Sequence, residues 1–383
     1  MSQVSPSLAA GLRPPALLVL EDGTTFRGTS FGKEGESFGE AVFNTGMTGY
    51  QETLTDPSYC RQIVAMTSPH IGNTGINDED HESRDIWVSG FVIRDPSPIA
   101  SSWRSARTLD DELRARGITA IAITGTRALT LHLRERGAMR AAISTATADP
   151  GELREKVRAS PGMIGADLAR IVSTPEPYVV EPPRGTATRY QVAAVDLGIK
   201  AATPLAMARL GCRVHVLPAA SSTREILATG CDGVFFSNGP GDPAACDYAT
   251  AALRGVLAER VPVFGICLGS QLLGRALGLD TYKLRFGHRG VNQPVRDIRT
   301  GKVHITSHNH GFAVAMPGPA HTFDTEFGPA GITHVNLNDG VVEGLALRDR
   351  PAFSVQYHPE AAPGPHDARG LFADFCALME RDA

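Results

Sequence analysis

The most restrictive stretch of this chain is Gly265-Ile266-Cys267-Leu268-Gly269-Ser270-Gln271. It follows Val261-Pro262-Val263-Phe264, an apolar run that predicts a buried strand, and it precedes Leu272-Leu273-Gly274-Arg275-Ala276-Leu277, which predicts the opening of a helix. A cysteine between glycines at a sharp strand-to-helix turn is the thiol counterpart of the Gly-x-Ser-x-Gly nucleophile elbow. Small residues let the backbone bend tightly, so the side chain at the apex projects from the sheet edge. The helix then begins beneath it with unpaired N–H groups aimed at the sulfur. Such a setting favours the thiolate, which is the reactive form of cysteine.

The same half of the chain alternates regularly. Strands are expected at Gln191–Val195, Arg213–Leu217, Asp232–Phe236 and Val261–Phe264, with helices at Lys200–Leu210, Thr223–Ala228 and Ala245–Ala258 between them. This order implies a parallel sheet covered on both faces, with ligands bound beyond the C-terminal strand ends, where Cys267 falls. The first half is mixed and mostly β. Ala16–Leu20, Asp22-Gly23 and Thr24–Phe26 predict a hairpin, with further strands at Ala41–Phe43, Arg61–Met66, Trp87–Ile93 and Ile118–Ile123. Helices are expected near Leu109–Arg116 and over Arg127–Arg136, the latter with Thr126 as N-cap and Gly137 as its stop. Between the halves, Ser173–Arg189 holds Pro175, Pro177, Pro182, Pro183 and Gly185 with little apolar periodicity, and predicts an extended linker. The fold class is therefore α/β. Residues 1–172 form a mixed α+β domain, 173–190 a linker and 191–383 a doubly wound, mostly parallel-sheet domain.

Charge and cysteine usage narrow the function. A formal net charge of -4 with scattered Arg and Lys gives no electrostatic footprint for nucleic acid or anionic lipid. No apolar run approaches the ~20 residues needed to cross a bilayer. The opening MSQVSPSLAAGLRPP is interrupted by Arg13-Pro14-Pro15 and does not read as a secretion signal, so a cytoplasmic protein is expected. The six cysteines, Cys60, Cys212, Cys231, Cys246, Cys267 and Cys376, are far apart and form neither a CxxC pair nor a zinc-type cluster. His288 and His310 have no metal-ligand spacing, so no metal is expected in this chain. There is no GxxxxGK[ST] phosphate loop and no GxGxxG after a strand. The acidic run Asp78-Glu79-Asp80-His81-Glu82 reads as a solvated loop.

A thiolate attacking a carbonyl needs a base and an oxyanion site. The base candidate is His358 in Phe353-Ser354-Val355-Gln356-Tyr357-His358-Pro359-Glu360. The run before it predicts another strand, which puts His358 on the same rim as Cys267, and Glu360 is placed to fix the imidazole tautomer. Taken alone, the same residues also fit a surface histidine beside a solvated carboxylate. The oxyanion candidate is Ser237-Asn238-Gly239-Pro240-Gly241-Asp242-Pro243, whose glycines let backbone N–H groups turn toward a ligand. Ser307-His308-Asn309-His310-Gly311-Phe312 reads as a third loop, with polar groups and an aromatic wall or simply a hairpin turn. Complete ionisation of a free cysteine gains at most roughly thirtyfold at neutral pH, whereas one oxyanion donor is worth about 10²–10³ in rate. The glycine loop should thus matter at least as much as thiol activation.

Cys267, His358 and Glu360 together with SNGPGDP and GICLGSQ resemble the class I, or triad, glutamine amidotransferases. ALLVLEDGTTFRG, FNTGMTGYQETLTDPSYCRQIV and PHIGNTGIND in the first half, and GHRGVNQPV and NHGFAV in the second, resemble the small-subunit family of carbamoyl-phosphate synthetase from about Ala16 to the end. The resemblance implies a glutamine amidotransferase in which Cys267 attacks the side-chain amide of L-glutamine. Backbone N–H groups at Leu268 and the Gly239–Gly241 loop would hold the oxyanion, and His358 would protonate the departing ammonia. It also implies glutamine contacts at Ser58, Gly239, Gly241, Leu268, Gln271, Asn309, Gly311 and Phe312. Ammonia would pass to a large synthetase subunit that uses bicarbonate and ATP, with its divalent metal, to make carbamoyl phosphate for pyrimidine and arginine synthesis; no cofactor is implied for this chain. Three positions depart from the family pattern: Ser270 is often histidine, Gly46 serine and Gly125 aspartate. The competing readings are an amidotransferase subunit of another synthase and a catalytically silent assembly subunit.

Overall fold

The computed structural model describes residues 13–318 and 320–381. The reading of the N-terminal segment as no secretion signal falls largely on residues 1–12, outside the described residues. Among the described residues, no helix is long and apolar enough to cross a membrane.

Seven strands of the first half close into a barrel, in the spatial order Pro15–Leu20, Thr25–Gly32, Thr119–Ala122, Gly90–Ile93, Gln62–Met66, Glu36–Asn44 and Met139–Ser144. The last pairs back onto the first, with Leu18 opposite Ile143. The Asp22-Gly23 hairpin forms as expected: Val19 pairs with Thr25, Gly23 has φ 95°, and Thr24 N donates to Asp22 Oδ1 at 2.9 Å. Successive side chains of a strand point to opposite faces. Leu18, Ala41, Ile63, Val92 and Ile121 accordingly enter one apolar cluster, and Phe31, Val42, Val64, Phe91 and Ala120 another. Helix Thr126–Arg136 lays Leu129 and Leu133 on the first of these and stops at Gly137, φ 101°. Its N-cap is Gly125 rather than Thr126, which is the first helical residue and makes no side-chain cap.

The second half is built on one sheet. Its strands run Tyr178–Val180, Cys212–Pro218, Tyr190–Asp196, Gly233–Phe236, Val263–Ile266, Ala352–Val355, Val342–Leu347, Gly328–Asn336, Thr281–Asp297 and Val303–Val314, with Thr322–Thr325 paired off this path to Gly328–Asn336. The five strands from Cys212–Pro218 to Ala352–Val355 are mutually parallel. Helices cover both faces. Ala193 and Val195 pack with Leu253 and Val256 of helix Asp247–Ala258 and Leu272 of helix Leu268–Ala276. Val192 and Ala194 pack on the other side with Met207 of helix Ala202–Arg209 and Phe372 and Phe375 of helix Gly370–Arg381. This is the doubly wound arrangement in which both strand faces are buried.

Two features extend it. The span read as a linker lays Tyr178–Val180 antiparallel against Cys212–Pro218 at the sheet edge. On the other flank, long antiparallel strands continue the sheet beyond Ala352–Val355. Ser307–Phe312 is not a loop or a hairpin turn but the middle of strand Val303–Val314, paired with Thr281–Asp297. Its polar residues hid the strand because their side chains are buried in a polar site rather than in an apolar core.

Candidate active site

The elbow forms where expected. Strand Val263–Ile266 ends at Cys267, which has φ 53° and ψ -103°, and helix Leu268–Ala276 begins at the next residue. A non-glycine residue in this region is strained, as nucleophiles at such turns are. Gly269 makes the bend possible, because a Cβ there would lie 2.1 Å from the Phe236 carbonyl oxygen. Leu268, as the first helical residue, keeps an N–H with no intrahelical acceptor beside the sulfur.

Strand Ala352–Val355 pairs in parallel with Val263–Ile266, with Val355 opposite Ile266, so both chains leave the sheet at the same end. Cys267 N donates to Val355 O at 2.9 Å, and His358 follows three residues later, its N donating to Ser307 O at 2.9 Å. The His358 Nδ1 lies 2.7 Å from Glu360 Oε1, so the Nδ1–H donates to the carboxylate and the other ring nitrogen is left free of any protein hydrogen bond. All three residues are buried. Burial alone would lower the imidazole's proton affinity, but the Glu360 carboxylate and the neighbouring Cys267 thiol push its pKa up to about 10.

Lys200 is a member of this constellation that the sequence did not reveal. Its Nζ lies 3.2 Å from Glu360 Oε1 and donates to Ala362 O at 2.7 Å, with the side chain almost wholly buried. Burial would raise the Glu360 carboxyl, yet Lys200 and His358 bring it down to about 2. Burial would likewise lower the lysine, but Glu360, Glu82 and Asp56 hold it above its ordinary value. Lys200 opens a helical turn with no motif around it, so only its burial marks it.

Ser58, Gly239, Gly241, Gln271, Asn309, Gly311 and Phe312 line one cleft with Cys267. Leu268 is buried at the elbow itself. Ser58 comes from the barrel half, in the turn Pro57–Tyr59 capped by Asp56. It is held by Asn238, whose Nδ2 donates to Ser58 Oγ at 3.1 Å and to Gly198 O at 2.8 Å. The same asparagine anchors the glycine loop, in which Gly241 adopts φ 98° and abuts Ala166 O. Gln271 Nε2 donates to Phe312 O and Gln356 Oε1, at 2.8 and 3.0 Å, which fixes its carboxamide in the cleft wall. Cys267 Sγ donates to Asn309 O at 3.6 Å. A second cleft, lined by His358, Lys200 and Asp56, adjoins the first at Asn309. Arg289 was missed by sequence reasoning although it stands within GHRGVNQPV. It lines the Cys267 cleft, is buried, and sits opposite Asn309 in the strand pair.

None of the three departures from the family pattern replaces a member of the triad. Ser270 Oγ bonds Ser354 Oγ at 2.8 Å beneath the elbow. Gly46 lines the second cleft, and Gly125 caps a barrel helix against Phe26. The acidic run is not simply solvated. Arg107 and Arg104 pair with Asp78 and Asp80, and Glu82 is buried, its Oε2 accepting from Ala202 N at 3.3 Å.

Comparison with known proteins gives the family of the chain. Residues 18–143 match the family model for the carbamoyl-phosphate synthase small chain, CPSase domain, and residues 193–378 match class-I glutamine amidotransferase. A carbamoyl phosphate synthase small chain of Streptomyces avermitilis is 60% identical over 379 residues, covering 98% of this chain and 99% of its own length. Its counterpart in Streptomyces coelicolor is 60% identical over 370 residues, covering 96% and 97%. The Mycobacterium tuberculosis protein is 58% identical over 371 residues, covering 95% and 98%.

Proposed function

Because the chain belongs to the carbamoyl-phosphate synthase small chain family and is its glutamine-hydrolysing subunit, we propose that Cys267 is the nucleophile and that His358, Glu360 and Lys200 serve it. The observation that carries this reading is the parallel pairing of Ile266 with Val355, which delivers the sulfur and the free His358 Nε2 to one rim.

Sulfur attacks the side-chain amide carbon of L-glutamine, and its proton rests on His358 Nε2. The ion pair with Glu360 keeps the imidazole in that protonated form up to about pH 10. The oxyanion is met by the Leu268 N–H and by the loop Gly239–Gly241. His358 then gives its proton to the leaving nitrogen, ammonia departs, and a γ-glutamyl thioester remains on Cys267. Water, deprotonated by the now neutral imidazole, attacks the thioester; glutamate leaves and the proton returns to the sulfur. Ser58, Gln271, Asn309, Gly311 and Phe312 hold the substrate, with Ser58 reaching in from the barrel half.

The ammonia goes to a large subunit that binds ATP and its divalent metal and forms carbamoyl phosphate from bicarbonate. Exposed Met47, Ile99 and Trp103 on the barrel half, at 80%, 72% and 92% exposure, support a partner-facing role for residues 1–172. A cytoplasmic location fits these substrates. Service to another synthase is disfavoured by the match of residues 18–143, and a silent assembly role by the presence of Cys267 with a hydrogen-bonded His358–Glu360 pair.

Substituting Cys267→Ala in the assembled complex tests the reading. Glutamine-dependent synthesis should disappear while ammonia-dependent synthesis continues. Survival of both activities would reject Cys267 as nucleophile.

A further inference from the structure

We propose that His288, His308, His310 and Glu343 form a closed four-ligand site for a divalent metal ion of the zinc class, set behind the glutamine cleft. The antiparallel pair places His288 directly opposite His310, and His308 lies two residues from His310 on the same strand face. Glu343 rises from strand Val342–Leu347, which is separated from Thr281–Asp297 in the sheet by Gly328–Asn336. All four side chains are buried, and one ligand atom from each lies within 4.8 Å of the others. His308 Nδ1 is 3.1 Å from His310 Nε2, and Glu343 Oε1 is 3.6 Å from His288 Nδ1 and 3.7 Å from His308 Nδ1. Around a tetrahedral zinc ion with bonds of about 2.0–2.1 Å, neighbouring ligand atoms stand ~3.3 Å apart.

The hydrogen bonds behind the rings carry the argument. The Phe312 carbonyl can only accept, so His310 Nδ1, 2.9 Å away, bears the proton. The Asp339 carboxylate likewise takes the Nε2 proton of His288 at 2.8 Å. Thr306 gives its hydroxyl hydrogen to Gln293 O, so it accepts from His308 Nε2 at 2.8 Å. Each imidazole is therefore protonated on its outer nitrogen, and with the inner nitrogens deprotonated, His288 giving up a proton held by Asp339 and Glu343, three lone pairs converge with a carboxylate. Lone pairs facing one another at 3.1 Å repel unless a proton or a metal ion lies between them. His288 Nδ1 and Glu343 Oε2 have no protein hydrogen-bond partner at all. Outer nitrogens bonded to a carboxylate, a hydroxyl and a carbonyl are the orienting shell that metal-binding histidines require. Glu343 and Asp339 together balance a dication.

Imidazole-rich sets suit zinc and its neighbours rather than magnesium or calcium. Four protein ligands leave no open position, so the ion would be structural. Its effect would reach the cleft through Asn309, which stands between His308 and His310 and whose carbonyl meets Cys267 Sγ. The site draws on three strands, which is why spacing along the chain did not show it.

The test uses untagged Cys267→Ala protein, so that the nucleophile is not a competing ligand. After chelation it is reloaded with Zn²⁺ alone, desalted and assayed for metal, and in parallel loaded with Co²⁺. About one zinc per chain should survive desalting, cobalt should give the intense visible absorption of a four-coordinate site without sulfur charge transfer, and the thermal midpoint should rise on reloading. A further Glu343→Gln change should weaken retention at least tenfold. Trace zinc with no tetrahedral cobalt band in the Cys267→Ala protein would overturn the proposal in favour of a proton-bridged network. Equal retention by a folded Glu343→Gln derivative would overturn it too. If that derivative fails to fold, the parent's metal content and cobalt spectrum decide alone.

Discussion

Asn309 Nδ2 donates to the Asp56 carboxylate at 2.8 Å, joining the antiparallel flank of the sheet to the barrel half. The other oxygen of Asp56 accepts from Ser58 N at 2.9 Å. One buried carboxylate thus positions a residue on each side of the cleft.

Asp56→Ala should therefore weaken glutamine binding more than turnover. We expect KM to rise at least tenfold, about 1.4 kcal/mol, with a smaller fall in kcat. Steady-state glutaminase assays decide, and an unchanged KM would reject the role.

Glu360→Gln should move the alkaline limb of the glutaminase pH profile downward. His358 is raised from 6.5 to about 10, chiefly against burial by the carboxylate. Removing that charge should bring the limb down by roughly one unit or more. The stability linked to His358 follows the same sign: it is present in full below pH 6.5 and is lost as pH rises through 10. Unfolding curves across that window should be flatter for Glu360→Gln; parallel curves would refute the assignment.

Lys200→Met should destabilise the chain by about 3 kcal/mol, because it leaves a buried carboxylate with one partner instead of two. Glu360, lowered from 4.5 to about 2, contributes stability that is present above pH 4.5 and lost as pH falls through 2. The variant should begin to lose structure at a higher pH on acidification. Denaturant titration and acid unfolding measure both, and a loss under about 1 kcal/mol would show the lysine to be dispensable.

Gly269→Ala should disrupt the elbow, since its Cβ would fall 2.1 Å from Phe236 O, a backbone atom that cannot yield. We expect loss of glutaminase activity with destabilisation above about 3 kcal/mol. Gly370→Ala is the contrast, because nothing lies within 4 Å of its Cβ, and should stay within about 0.5 kcal/mol of the parent. Equal behaviour of the two would contradict the close approach.

The parallel core was legible because strands such as Asp232–Phe236 and Val261–Phe264 are apolar runs bounded by turn residues, and the elbow has its own glycine pattern. The antiparallel flank was not. Strand Val303–Val314 buries Ser307, His308, Asn309 and His310 on both of its faces, so the alternation that marks a half-buried strand is missing. Cys267, His358 and Glu360 stood out through local motifs. Lys200, Arg289 and the tie from Asp56 to Asn309 depend on long-range packing, which no local spacing encodes.

The first half is a closed ring of strands, with Met139–Ser144 hydrogen-bonded back to Pro15–Leu20. Among the described residues, the barrel itself leaves no open strand edge for a second polypeptide to extend. Any partner meeting the barrel wall would therefore read side chains and connecting segments, so binding preference could drift by single substitutions without a shift of barrel register.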